Sequence, residues 1–178
     1  MREKKLKYYG KQAVFLDRDG TINYDKGYTY KFSEFKFRPF VIKGLKYLSK
    51  RKYLIFIITN QAGIAKGKFE ISDLLKLHKR VKIHLKKKNI IINGIEFCPY
   101  HPDGIIKKFK KKSGYRKPGN LMIKKILNKW NINIRKSFMI GDQKSDRIAA
   151  QKSNLYYEDV GKNFFNQIKK IEKKINNY

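Results

Sequence analysis

Asp17 and Asp19 are separated by one arginine and followed by Gly20-Thr21. In an extended chain, residues two apart project to the same side, so two carboxylates face one spot. Adjacent carboxylates repel unless a cation or a shared proton relieves them. The natural reliefs are Mg²⁺, which takes oxygen ligands, and protonation of one member. Gly20 permits the sharp turn that follows. Taken alone, Asp-x-Asp-Gly reads equally well as a solvated turn. Three later groups shift that balance: Thr59, Lys117 within Arg116-Lys117-Pro118, and Asp142 with Asp146 in Gly141-Asp142-Gln143-Lys144-Ser145-Asp146. Each is weak by itself, since a terminal threonine is often a cap and a basic triplet often a turn. Together, carboxylates from two segments can hold one Mg²⁺, while a hydroxyl and an ammonium can hold phosphoryl oxygens. That is equipment for phosphoryl transfer, where positioning and charge neutralisation carry most of the catalysis.

These groups need elements that bring them to one edge. Ala13 to Leu16 is a short apolar run that reads as a strand delivering Asp17 to its C-terminal end. Leu54 to Ile58 is continuously apolar and reads as a central parallel strand ending at Thr59. Further strands are predicted at Gly94–Phe97, Ser137–Ile140 and Leu155–Val160. Between them lie helical patterns. One is opened by Pro39 and runs through Lys50. A second is capped by Ser72, with Leu74, Leu75, Leu77, His78, Val81, Ile83 and Leu85 on its apolar side. A third carries Leu121, Met122, Ile126 and Trp130, and a fourth Ile148 to Ala150. His78 and His84 read as flank or core positions rather than ligands. Phe164 to Ile175 reads as a basic amphipathic helix that docks on the sheet in preference to a membrane surface. Alternating strands and helices predict an α/β fold, a doubly wound, Rossmann-like parallel sheet with helices on both faces. Ligands in such folds bind past the C-terminal strand ends. No insertion is long enough for a large cap domain.

At 178 residues and 41% hydrophobic content, the chain suits a single domain over residues 1–178, with residues 1–12 as a basic lead-in. No apolar run approaches the roughly 20 residues of a membrane span. The basic N-terminus lacks the apolar stretch of a secretory signal. The single cysteine, Cys98, excludes an internal disulfide; a cytoplasmic location is expected. The balance of 44 Lys+Arg against 14 Asp+Glu, a net +30, first suggests nucleic acid. The lysines are spread over every segment, beside many Ile, Asn, Tyr and Phe, as AT-rich coding would produce. Neither a specific nucleic-acid partner nor a membrane is expected, and the chain is expected to act as a monomer.

The order Asp-x-Asp-Gly-Thr, Thr, Lys, Gly-Asp-x-x-x-Asp resembles the haloacid dehalogenase (HAD) superfamily of phosphatases. More narrowly, Phe15 to Asn23 with Asp25-x-Gly27-Tyr28, Thr59-Asn60-Gln61-x-Gly63-Ile64-Ala65-x-Gly67, Cys98-Pro99-x-His101-Pro102 and Arg116-Lys117-Pro118 resemble the D-glycero-D-manno-heptose 1,7-bisphosphate 7-phosphatases. The similarity runs from about Ala13 to Ala150. It implies that Asp17 attacks phosphorus to form an aspartyl-phosphate, and that Asp19 protonates the leaving sugar oxygen and later activates water. Thr59 and Lys117 would hold the transferring group. Mg²⁺ would lie on Asp17, the Asp19 carbonyl and Asp142, with Asp146 behind them. Asp25, Lys26, Gly27, Tyr28, Asn60, Gln61, Ala62 and Arg116 would meet a small phosphorylated sugar on the route to nucleotide-activated heptose.

Two departures stand out. Relatives carry a zinc loop whose four ligand positions here are Cys98, Tyr100, Ser113 and Tyr115. Closed zinc sites need about four N/S ligands, so no zinc is expected. A lysine that follows the later aspartate in a relative is Gln143 here. Alternatives that share these motifs are a histidinol-phosphate phosphatase, a nucleic-acid 3′-phosphatase, and a non-catalytic basic binding protein on the same scaffold.

Overall fold

The computed structural model describes residues 10–176, so most of the predicted basic lead-in lies outside the described residues. Five strands, β1 (Ala13–Leu16), β2 (Leu54–Asn60), β3 (Gly94–Cys98), β4 (Phe138–Gly141) and β5 (Tyr156–Asp159), form one parallel sheet in the order β3-β2-β1-β4-β5. The chain steps from β1 outward to β3, then returns to the other side of β1 for β4 and β5. Strand order therefore reverses between β1 and β4, the place where such sheets open a crevice for ligands. Phe15 lies opposite Phe56 of β2 and Met139 of β4, which fixes the register of the centre.

Among the described residues, the helices are α1 (Val41–Lys50), α2 (Ala62–Ala65), α3 (Ile71–Lys86), α4 (Leu121–Lys129), α5 (Lys144–Gln151) and α6 (Phe164–Asn176); all but the short α2 cover the faces of the sheet. The period of two along the strands divides the core. Val14, Leu16, Ile55 and Ile57 pack with Leu45 and Leu48 of α1, Leu77 and Val81 of α3, and Ile168 and Ile171 of α6. Ala13, Phe15, Phe56 and Ile58 pack on the other face with Met122 and Ile126 of α4 and Ala149 of α5. Helices thus lie on both faces, as the alternating pattern predicts. The loops over the C-terminal strand ends contain only short helical turns, at Phe32–Glu34, Ala62–Ala65 and Lys107–Phe109.

Several boundaries differ from expectation; β3 runs on to Cys98 and β5 is confined to Tyr156–Asp159. The first helix starts at Val41 rather than Pro39, because Phe40 takes a left-handed conformation at φ 62° and turns the chain into it. Helix α3 is capped by Glu70, not Ser72: the Glu70 N–H donates to the Asp73 carboxylate at 3.2 Å in a capping box. The earlier start brings Ile71 against the cluster of Ile64, Phe69 and Leu74. Strand β4 begins at Phe138, since Ser137 instead uses its hydroxyl to accept from Ala13 N at 2.9 Å. Helix α6, expected to dock on the sheet, packs against α1 within the core that also holds Val14, Leu16 and Ile140. A Cβ on Gly44 would sit 2.7 Å from the Phe164 ring, so the approach of the two helices depends on glycine there. No described helix is long and apolar enough to cross a membrane.

Candidate active site

Asp17 follows β1 directly, and its N–H still donates to Ile140 O of β4 at 3.0 Å. By strand alternation its side chain belongs with Ala13 and Phe15, the face covered by α4 and α5. Lys117, on the loop entering α4, and Asp146, in the first turn of α5, meet it from that face. The Lys117 ammonium donates to Asp17 Oδ1, lies 2.5 Å from Asp146 Oδ1 and donates to Ile58 O at 3.0 Å. Two hydrogen bonds and one ion pair thus surround the ammonium. A phosphoryl oxygen reaches this ammonium only by sharing or displacing one of these partners.

Thr59 sits near the end of β2. Its Oγ1 accepts from Gln61 Nε2 at 2.8 Å, which leaves the hydroxyl proton to donate elsewhere. The same Gln61 nitrogen donates to Asp19 Oδ2 at 2.8 Å. Asn60 grips the Lys117 peptide at both ends, donating to its carbonyl at 3.1 Å and accepting from its N–H at 3.0 Å. Both amides read as substrate contacts are thus engaged within the protein, where they set the positions of Thr59, Asp19 and Lys117. The Asp19 carboxylate also accepts from Arg18 Nε at 3.0 Å, Arg18 Nη2 at 2.9 Å and Asn23 Nδ2 at 3.0 Å.

Asp142 follows β4 and leans over the turn after β1. A Cβ on Gly20 would lie 2.3 Å from Asp142 Oδ2, and Gly20 has φ +83°, so both space and backbone require glycine. Asp142 Oδ2 accepts from Gln143 Nε2 at 2.8 Å, whereas its buried Oδ1 has no hydrogen-bond partner. Gln143 also caps α5, with its N–H donating to Asp146 Oδ2 at 3.0 Å. These groups surround a cavity of about 150 Å³ lined by Asp17, Asp19, Asp25, Thr59, Asn60, Lys117, Asp142, Gln143, Ser145 and Asp146. Larger clefts exist, such as one of about 560 Å³ beside residues 133–136, but that one lies by the opposite ends of β4 and β5 and lacks carboxylates.

The site is short of positive charge. Asp17, Asp142 and Asp146 offer carboxylate oxygens all within 4.8 Å of one another, against the single ammonium of Lys117. Burial, only partly offset by Lys117, pushes the Asp17 carboxyl up to about 7. Burial also raises Asp142. Burial disfavours the charge on Lys117, yet the flanking Asp17 and Asp146 carboxylates prevail and hold its pKa above the usual lysine range. An all-oxygen donor set, an unpartnered Asp142 Oδ1 and surplus negative charge fit a hard divalent cation such as Mg²⁺.

Of the remaining predicted residues, Asp25 lines the cavity, while Lys26, Gly27 and Tyr28 form an exposed turn outside its lining, with Tyr28 at φ 52°. Ala62 opens α2. Arg116 adjoins Lys117 without lining the cavity, and its buried Nη1 has no hydrogen-bond partner. At the four zinc-loop positions the contacts are packing and local polar ones. Cys98 is buried, with its thiol 3.8 Å from Tyr100 O; Tyr100 and Tyr115 pack against the second core, and Ser113 Oγ accepts from Tyr115 N at 3.2 Å. Sequence reasoning gave no role to Arg18, Asn23, His78 or Ser145. The signal for Arg18 was available: a charged residue set directly after a fully buried strand must find partners.

The chain matches the family model described as polynucleotide kinase 3 phosphatase over residues 12–175. It is 40% identical over 141 residues, 79% of this chain and 75% of the relative, to the D-glycero-beta-D-manno-heptose-1,7-bisphosphate 7-phosphatase of Photorhabdus laumondii. It is 36% identical over 143 residues, 80% of this chain and 75% of the relative, to the protein of the same name in Escherichia coli K12. Its fold is similar to the crystal structure of D,D-heptose 1,7-bisphosphate phosphatase from B. bronchiseptica complexed with magnesium and phosphate. There the TM-score is 0.79 and the identity 20%, covering 92% of this chain and 99% of that one.

Proposed function

The chain belongs to the polynucleotide kinase 3 phosphatase family, among the HAD-type phosphatases, and from that premise we propose that it is the phosphoric monoester hydrolase that converts D-glycero-D-manno-heptose 1,7-bisphosphate to heptose 1-phosphate and inorganic phosphate. The observation that carries this reading is the convergence of Asp17, Asp19, Thr59, Lys117 and Asp142 on one cavity at the reversal of strand order.

In the proposed reaction, Asp17 attacks the phosphorus of the 7-phosphate. The P–O bond to the sugar breaks as Asp19 gives its proton to the leaving oxygen. Water then attacks the phosphorus of the aspartyl-phosphate and loses a proton to Asp19; the P–O bond to Asp17 breaks, inorganic phosphate leaves, and both carboxyl groups return to their starting state. Lys117 keeps Asp17 oriented and offsets charge at the reacting phosphate, and the Thr59 hydroxyl donates to a phosphoryl oxygen. Asp17, the Asp19 carbonyl and Asp142 would hold Mg²⁺, with Asp146 positioning both Lys117 and the start of α5. When bound, the metal supplies positive charge that lets two anions, carboxylate and phosphate, approach each other. Asp25, which lines the cavity, would meet the sugar together with Lys26, Gly27, Tyr28, Ala62 and Arg116. Asn60 and Gln61 serve this reading by fixing the catalytic groups. A single domain, a monomeric state, a cytoplasmic location and no zinc complete the proposal.

The description of the matched family model, with the +30 charge, favours a second reading as a nucleic-acid 3′-phosphatase. Phosphate release from both anomers of heptose 1,7-bisphosphate, histidinol phosphate and a 3′-phosphorylated oligonucleotide separates the readings. The heptose bisphosphate is expected to give the highest kcat/KM; a higher value on the oligonucleotide overturns the sugar assignment.

A further inference from the structure

The bulkiest fully buried side chain among the described residues is not an aromatic but Arg18, 1% exposed. It follows β1 one position after Asp17, so strand alternation sends it to the opposite face, toward α3. Its guanidinium is a rigid fork with five donors. One edge grips both oxygens of Asp19, Nη2 also donates to Thr29 O at 2.8 Å and Gln61 Oε1 at 3.2 Å, and Nη1 donates to His78 Nε2 at 3.1 Å. An arginine has no acceptor, so His78 Nε2 must be the unprotonated nitrogen. His78 is 5% exposed and stands on the buried stripe of α3 between Leu74, Leu77 and Val81, with the Phe97 ring 6.0 Å away. Its neighbours on that stripe are leucine and valine. A histidine there has one evident polar task, to accept from the far end of Arg18.

We propose that His78 is a positioning residue for the reaction: it holds the Arg18 fork, and the fork fixes the Asp19 carboxylate at the point of proton transfer. This rests on the reading of Asp19 as the acid and base. Removing the acceptor leaves a buried N–H unpaired and takes away the anchor of Nη1. Thr29 O and Gln61 Oε1 still hold Nη2, so the fork loosens rather than leaves, which shifts Asp19 while leaving the nucleophile, Lys117 and the carboxylate cluster in place. Such a defect must depend on the leaving group. A sugar or glycerol alkoxide needs the proton that Asp19 supplies; a p-nitrophenolate departs without it.

The test compares wild type, His78→Leu and His78→Gln on heptose 1,7-bisphosphate, glycerol 2-phosphate and p-nitrophenyl phosphate. His78→Leu is expected to lower kcat/KM on the two alkyl phosphates about 30-fold, and on p-nitrophenyl phosphate less than about threefold. His78→Gln, which restores an acceptor, should bring the alkyl phosphates back to within about threefold of wild type. Equal losses on all three substrates, or no loss on any, overturn the proposal. A wild-type protein that hydrolyses glycerol 2-phosphate but not the heptose bisphosphate removes the sugar assignment, and the glycerol arm then decides on His78 alone. A readout without turnover comes from the metal-free protein. The Arg18 Nε–H resonance should exchange slowly with solvent in wild type and His78→Gln and quickly in His78→Leu; identical exchange in all three overturns the proposal.

Discussion

Two clusters of buried charge lie at different places in this fold, and they are built on different rules. Beneath α6, Glu172 is 6% exposed and has both oxygens engaged: Tyr47 OH donates to one at 2.5 Å and Arg51 Nε to the other at 2.9 Å. One carboxylate meets one cation, and the Arg51 side chain remains half-exposed. At the strand ends, Asp17, Asp142 and Asp146 surround one buried ammonium, and Asp142 Oδ1 has no hydrogen-bond partner. A buried polar atom without a partner normally costs stability. The Glu172 charge is matched by Arg51, whereas the strand-end carboxylates outnumber the one ammonium among them, a surplus that a cation would relieve. The first cluster should therefore matter to folding and not to catalysis, and the second the reverse.

The largest effect expected from that contrast is at Asp17. Asp17→Asn keeps the shape of the side chain but removes the nucleophile, and phosphate release should fall by about 10⁴-fold or more. Because burial already raises Asp17 toward neutrality, loss of its charge should leave the thermal midpoint unchanged or higher. A variant that turns over substrate at rates near wild type contradicts the covalent mechanism. One that unfolds makes the strand-end cluster structural after all.

Asp142→Asn sharpens the comparison at the metal. It removes a carboxylate whose ordinary ionisation is disfavoured by burial, so the fold should tolerate it. Mg²⁺ affinity measured by titration calorimetry should fall about 10- to 100-fold. Unchanged affinity would move the cation away from Asp142. Glu172→Ala should do the opposite, lowering the thermal midpoint by about 6 °C with kcat/KM unaltered below that midpoint. Loss of activity in a still-folded Glu172→Ala protein would erase the distinction between the two clusters.

The clusters also differ in how far they could be read from the chain. Asp17, Thr59 and Asp142 each end an apolar run that was readable as a strand, so their arrival at one edge follows from the order of elements alone. The faces of the sheet were equally legible, because alternation and helical spacing are local. Pairings between distant polar groups leave no such trace. Glu172 meets Tyr47 across 125 positions, and Asn60 meets Lys117 across 57. Nothing in local spacing shows that Asn60 and Gln61 turn inward to hold Lys117, Thr59 and Asp19. Serine is a common N-cap, so local sequence points to Ser72. The packing of the partly buried Ile71 on Ile64, Phe69 and Leu74 instead accompanies a helix that starts at Ile71 and is capped by Glu70.

His78 sits between the two types: satisfied, like Glu172, yet one contact from Asp19. Its contribution to stability should be the smallest of these effects, and it should depend on pH. Burial, reinforced by the Arg18 guanidinium and only partly opposed by Asp19, pushes the His78 imidazole down from 6.5 to about 3. In the unfolded chain it regains its ordinary value. Between those limits the unfolded state binds a proton that the folded state refuses. The stabilisation of the neutral, buried form is therefore complete above about pH 6.5 and drains away as pH falls toward about 3. From pH 7 to pH 5 this amounts to about 2 kcal/mol. Denaturant unfolding at the two pH values should show His78→Gln losing about 2 kcal/mol less than wild type over that interval, because glutamine cannot titrate. The difference between the proteins at pH 7 should be smaller, since glutamine still accepts from Arg18. Parallel losses in both proteins would mean that His78 takes up its proton in the folded state, which its hydrogen bond from Arg18 forbids. The contact on which the positioning of Asp19 rests would then not exist.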